Sequence, residues 1–203
     1  YKLKFCTKNV YEICEFGITT ILSNVFDHSN AKIFKIKIFV VGLDIKVTIE
    51  DDGIGILKNI NQKLKLNNYH LTAIELSKGK ANNPSDHQLG VDVYLLFHLF
   101  NKVSIESNGS KFERDSLKDE WKFFSSDVTK GTKICIKTTF HYQKTCSDVF
   151  KTALIEPRPY KIPISLARAN KEKFISKVQA DNILYNISDL ENIEFDFKGV
   201  SLI

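Results

Sequence analysis

Between Asn9 and Ile49 the spacing of apolar residues changes from three-and-four to two, and this switch constrains the fold more than any other feature of the chain. Val10, Ile13, Cys14, Ile18, Ile21, Leu22, Val25 and Phe26 share one helical face, which predicts a helix from Asn9 to about His28. Ile33, Ile36 and Ile38 then fall within an extended stretch, Ala31 to Val40, rich in β-branched residues. Ile45, Val47 and Ile49 alternate again, and Gly42 with nearby Asp44 makes the connection a tight hairpin. A helical stripe followed by strands that each have one apolar face must pack helix on sheet. The expected class is α+β, a two-layer α/β sandwich with helices on one face of a mixed sheet.

The rest of the chain fits that plan. A weaker helical pattern runs from Ile60 to Ser77, and Lys78 to His87 has loop composition. Gly90 to Phe100 suits a buried helix, Lys102 to Ser107 a strand that turns at Asn108-Gly109, and Trp121 to Phe124 and Lys133 to Phe140 further strands. Three of the four prolines lie between Glu156 and Pro163, which reads as a semi-rigid linker or an edge segment. Beyond it an amphipathic helix is expected from Lys173 to Ile187 and a strand from Ile193 to Phe197. The boundary proposed from this pattern separates residues 1–150 from a tail of 151–203. The chain begins at Tyr1, contains no methionine and ends at Ile203 just after a strand, so further residues are expected in the full protein.

Composition narrows the function classes. At 43% hydrophobic and 26% charged residues the chain has a globular balance, and no apolar run nears the roughly 20 residues that span a bilayer. No signal-peptide pattern opens it, and its four cysteines form no CxxC pair, so a reducing cytosol is the expected compartment. The net charge of +5 comes from dispersed lysines without interleaved aromatics, which makes nucleic acid an unlikely partner.

Four places carry chemistry. In Asp51-Asp52-Gly53-Ile54-Gly55 a strand-end carboxylate precedes two glycines, which let the backbone turn sharply and approach a flat ligand. Asp51 there could accept a hydrogen bond from an exocyclic amine; an ordinary strand-end turn would read the same way. Asn24 interrupts an apolar helical face, where an amide is costly without a partner. Its oxygen suits Mg²⁺, although C-terminal capping is the alternative, as helix-dipole stabilisation is for His28. Lys78-Gly79-Lys80 through Gly90 could bring lysine charge and backbone N–H groups to a phosphate. Gly131-Thr132 opens a strand, where the threonine hydroxyl could reach a base or a water.

Together and in this order, these motifs resemble the Bergerat-fold ATP-binding domain of histidine kinases, DNA gyrase, heat-shock protein 90, MutL and anti-sigma-factor kinases. The resemblance covers roughly Val10 to Phe140 and is closest to bacterial signalling members, through Asn24-Val25-Phe26-Asp27-His28-Ser29 and Leu76-Ser77-Lys78-Gly79-Lys80. It implies ATP and Mg²⁺ as ligands, with Asn24 holding the metal and Asp51 binding the adenine amine. Gly53 and Gly55 would shape the pocket floor, Lys78, Gly79 and Gly90 would belong to a lid over the phosphates, and Thr132 would support the adenine. The tail, through Phe174 to Ala180 and Glu194 to Val200, resembles the opening half of a STAS-like domain. That implies a partner-switching role in which the tail or a separate regulatory protein is the partner.

Two positions depart from the family pattern. ATP-hydrolysing members carry a glutamate one helical turn before the asparagine, and here that position is Thr20, which cannot act as a general base. Asp92 stands where a lid glycine is expected. No phospho-acceptor helix is visible ahead of the resemblance, so autokinase activity is not expected. The expectation is therefore an ATP-Mg²⁺-binding regulatory protein, with slow ATPase or Ser/Thr kinase activity if it is catalytic at all. The alternative is a degenerate interaction module that keeps only the fold.

Overall fold

The computed structural model describes residues 6–79, 87–154, 159–168, 176–184, 187 and 192–200. Helix α1 (Lys8–His28) buries Val10, Ile13, Cys14, Ile21 and Val25 of the expected stripe, while Ile18 and Leu22 are half-buried and Phe26, at its end, is exposed. Gly17 lets it sit close to the core, since a Cβ there would meet the Phe100 ring at 2.5 Å. Strands β1 (Phe34–Val41) and β2 (Asp44–Asp51) form the hairpin. Gly42 begins its two-residue turn at φ +60°, a conformation that glycine adopts freely.

The single helix expected over 60–77 is two helices, α2 (Ile56–Lys63) and α3 (Tyr69–Lys78). Lys65 adopts φ +52° between them, and Asn68 caps α3 by accepting from the Leu71 N–H at 3.0 Å. Helix α4 (His87–Leu99) starts ahead of Gly90, which lies inside it. Strands β3 (Lys102–Ser107), β4 (Ser110–Asp115), β5 (Glu120–Ser125) and β6 (Thr132–Thr139) complete the sheet. Strand β4 was not expected: its sequence, SKFERD, carries only Phe112 as an apolar signal, and pairing on both edges supplies the rest. Helix α5 (Cys146–Leu154) was also missed, yet its start is written in Thr145-Cys146-Ser147-Asp148. The Thr145 hydroxyl accepts from the Asp148 N–H at 3.1 Å, and the Asp148 carboxylate accepts from the Thr145 N–H at 3.2 Å.

The six strands run in the order β1-β2-β6-β3-β4-β5. Every neighbour is antiparallel, so the sheet is not the mixed one expected. The class is α+β. The last strand, β6, enters the centre of the sheet because its strict alternation lets it pair on both sides. Register aligns Ile49, Ile134, Ile105 and Phe112 in one cross-strand row and Val47, Ile136 and Val103 in the next. All of these are buried. With Phe97 of α4 and Phe100 just beyond its end they form the core, each large side chain contributing about 1.5–3 kcal/mol. The opposite pleat carries charge instead: Glu106 faces Lys111 and Lys133, and Glu113 faces Lys102 and Lys111.

Strand β7 (Tyr160–Pro163), a 3-10 turn (Ile164–Ala167), helix α6 (Lys177–Ile183) and strand β8 (Ile193–Asp196) make up the described tail. The proline-rich stretch thus ends in a strand, and β7 pairs with β8 in parallel. The helix expected over 173–187 is described only as α6, since residues 171–175 lie outside the described set. The tail packs on α3 and β5. His70 stacks on Phe123 with ring centroids 3.9 Å apart, and its Nδ1 meets the Leu166 carbonyl at 2.9 Å. The Ser165 hydroxyl donates to the Trp121 carbonyl at 3.0 Å. Among the described residues no helix is long and apolar enough to cross a membrane.

Candidate functional site

Period-two geometry decides where the two carboxylates at the end of β2 go. Asp51 lies on the same pleat as Ile45, Val47 and Ile49, so it continues a buried apolar face. Asp52 points the other way, to the surface, where its Oδ1 accepts from the Lys32 and Ile33 N–H groups at 2.8 and 2.9 Å. Those two bonds hold its carboxyl below the usual range. Burial pushes the Asp51 carboxyl up, against hydrogen bonds from Gly53 and Thr132 that favour its charged form. The Gly53 N–H donates to Asp51 Oδ1 at 2.8 Å.

The turn after Asp51 is held from three sides. Gly53 passes so near the end of α1 that a Cβ would lie 2.2 Å from the Ser29 carbonyl oxygen, and the Ile54 N–H donates to that same oxygen at 2.8 Å. Gly55 adopts φ +88° and caps α2. Asn108, in the β3–β4 turn, donates from Nδ2 to the Ile54 carbonyl at 3.1 Å and accepts at Oδ1 from the Lys58 N–H at 3.1 Å. Thr132 sits opposite Asp51 in the β2–β6 register and accepts from the Ile56 N–H at 2.9 Å, so its hydroxyl fixes the first turn of α2. Gly131 explains the glycine of the Gly-Thr pair: at φ +72° it passes Asp51 so closely that a Cβ would lie 1.9 Å from the Asp51 carbonyl oxygen.

These constraints leave a narrow cleft between α1, the ends of β2 and β6, and the start of α2. Its cavity volume is about 20 Å³, little more than the room of a water molecule, so a larger ligand would have to open its walls. Ile21, Val25, Ile49, Ile56 and Ile134 supply apolar walls, while Asn24, Asp51 and Thr132 supply polar groups. Asn24 and Asp51 therefore share one cavity. Asn24 is buried, and among the described residues its Nδ2 has no hydrogen-bond partner. Rotating the amide by half a turn exchanges that nitrogen with its oxygen, so the group can present either to a ligand. An orphaned buried amide costs about 1–3 kcal/mol, a penalty that a bound ligand would remove. Its lining offers apolar walls and, at Asp51, an acceptor for a ligand's donor.

His28, Ser29 and Asn59 also line it. Asn59 was not anticipated, because the helix was expected to begin after it; its Nδ2 donates to the His28 carbonyl at 3.1 Å and ties α2 to α1. Asn108 was read only as a turn residue, and nothing local signals its bonds to the Asp51–Gly55 turn.

Gly53 and Gly55, expected to shape the floor, and Lys78, Gly79 and Gly90, expected in the lid, are not among the cleft's lining residues. Lys78 is buried, its ammonium 2.5 Å from the equally buried Glu75 carboxylate. Gly79 ends α3 at φ +69°, where a Cβ would strike the Tyr94 ring. Residues 80–86 of the expected lid lie outside the described set. Among the described residues no three His, Cys, Asp or Glu side chains are grouped to hold a metal ion, and none of the four cysteines is in a disulfide. No protein-family model matches the chain, and comparison with curated proteins returns no match.

Proposed function

We propose that the chain is an ATP-Mg²⁺-binding regulatory protein built on a two-layer Bergerat fold, with residues 151–203 as a linker and the first half of a STAS-like domain. The observation that carries this reading is the shared cleft: Asp51 and Asn24, whose Nδ2 has no partner among the described residues, line it together between apolar walls. Adenine would lie against Ile49, Ile56 and Ile134 with its amine on Asp51. Gly53 and Gly55 give the turn its close path, and Thr132 holds the floor through Ile56. A magnesium ion there would neutralise triphosphate charge, and Asn24 offers a single hard oxygen ligand to an ion that keeps most of its coordination for water and phosphate.

Regulation would run through α3. This helix leads into the segment expected to be the lid, and besides α2 and α4 it packs on β7, the 3-10 turn and α6 of the tail. A nucleotide that orders the lid would bias how the tail meets a protein partner. A role inside the cell fits these parts.

Thr20 and Lys78 favour a second reading, a non-catalytic interaction module. Thr20 is buried one turn before Asn24 and is no base, and Lys78 is committed to Glu75. Titration calorimetry with ATP and Mg²⁺ separates the two. The first reading requires heat of binding that Asp51→Asn abolishes and Asn24→Ala weakens in magnesium but not in EDTA. No heat with the parent protein supports the second.

A further inference from the structure

Among the described residues strand β1 is the outer strand of the sheet with no strand on its far edge, and it is strongly apolar. No residue of β1 is buried, although Phe34, Ile36, Ile38 and Val40 stand on the same pleat as the buried Ile45, Val47 and Ile49 of β2. The helical layer leaves that pleat open. Ile38, Phe39 and Val41 are exposed by 49%, 49% and 74%, and on α1 Phe26 is exposed by 68% and packs edge-on against Phe34. Natural sheets protect such edges with bulges, prolines or inward charges, and β1 has none of the first two.

The hairpin turn settles which backbone groups face outward. With two turn residues, the closing pair Val41–Asp44 is hydrogen-bonded, so the odd-numbered residues of β1 bond to β2. The amides and carbonyls of Phe34, Ile36, Ile38 and Val40 therefore point away from the sheet. We propose that β1 pairs antiparallel with β1 of a second copy of this chain about a two-fold axis through Ile38, joining the two sheets edge to edge.

The sequence is complementary to itself in that register. Ile38 meets Ile38 and Ile36 meets Val40, which makes one apolar strip on the helix side of both copies. On the other pleat Lys37 lies opposite Phe39 and Lys35 opposite Val41, so aliphatic lysine stems cover apolar side chains and no lysine faces a lysine. Sliding the axis to Lys37 would set two ammonium groups against each other. The apolar side chains of β1 with Phe26 offer on the order of 600–800 Å² per copy, about what a standard specific interface buries.

Analytical ultracentrifugation of the whole chain across the micromolar range tests this. The expected result is a dimer that Ile38→Lys converts to monomer with an unchanged far-UV circular dichroism spectrum, because the position is exposed. If Ile38→Lys fails to fold, Ile38→Cys decides: the axis sets each Cys opposite its mate at about 5.5 Å between Cα atoms, within disulfide reach, so mild oxidation yields a covalent dimer that the parent does not form. A monomer at every concentration, a dimer unaffected by Ile38→Lys, or no covalent dimer from Ile38→Cys each overturns the proposal. So does a monomer whose Ile38 amide resists hydrogen exchange, which would mean that another part of the same chain covers the edge.

Discussion

Asp51 and Asp52 are neighbours with opposite electrostatics, and the pleat is the reason. Asp51 faces the core, and desolvation raises its proton affinity in the folded state. A carboxyl raised in this way contributes most to stability below its unfolded value of 3.8, and that contribution is lost as pH rises through the raised value. Asp51→Asn keeps an acceptor for the Gly53 N–H while removing the buried charge. The ligand-free variant should melt at the same or a higher temperature than the parent at neutral pH, with any difference closing below pH 3.8. A melt series across pH checks this. Asp52 behaves in the reverse sense: its contribution is complete above 3.8 and is lost as pH falls towards its lowered value.

The buried Glu75–Lys78 pair gives a second residue-scale expectation. Burial raises the Glu75 carboxyl, and Lys78 opposes that rise. Removing the ammonium in Lys78→Met strands the carboxylate and should cost about 3 kcal/mol in urea unfolding at neutral pH. Because the uncompensated carboxyl then holds its proton more tightly in the folded state, the loss should grow as pH rises from 4.5. Adding Glu75→Gln should recover much of it. Full stability in Lys78→Met would show that the pair is not what holds α3 in place.

At the scale of elements, the cleft depends on backbones passing at distances that only glycine allows. Gly131→Ala would place a methyl 1.9 Å from the Asp51 carbonyl at a positive φ, so β2 and β6 must part at the end that carries Asp51 and Thr132. The expected cost is about 1–3 kcal/mol in chemical denaturation, together with lost ligand affinity. Gly109→Ala is the control: nothing lies within 4 Å of its added methyl, so it reports backbone strain at φ +78° alone and should spare the cleft. Much of this level is legible beforehand. The stripe of α1, the hairpin and the acidic glycine turn follow from local period and turn chemistry. The start of α2 does not, because its first N–H is satisfied by Thr132, far along the chain. Strand β4 was hidden for a similar reason, since its order comes from β3 and β5 on either side.

Across the whole molecule, the tail is packed on α3. His70 projects from α3 to stack on Phe123 and reach Leu166, and Asp119 gathers Arg114, Lys161 and Lys198 within 4 Å at the surface. The ion pairs are partly exposed and screened, so each is worth at most about 1 kcal/mol. The His70 contacts are less exposed to salt. His70→Ala should therefore speed hydrogen exchange in β7 and β8 while the amides of β2, β3 and β6 keep their protection. Exchange that rises evenly in all five strands would mean that tail and sheet unfold as one unit.

Local pattern, which needs only neighbours a few residues away, determined the periods of α1, β1 and β2, the pairing of a carboxylate with glycines at a strand end, and the polar interruption at Asn24. Tertiary packing alone decided that Asn24 and Asp51 open onto the same cavity, that Thr132 caps a helix begun at Ile56, and that Lys78 turns inward to Glu75. Each of those outcomes rests on groups far apart in sequence or on the balance between a buried charge and its partner, and a one-dimensional pattern holds neither distance nor dielectric.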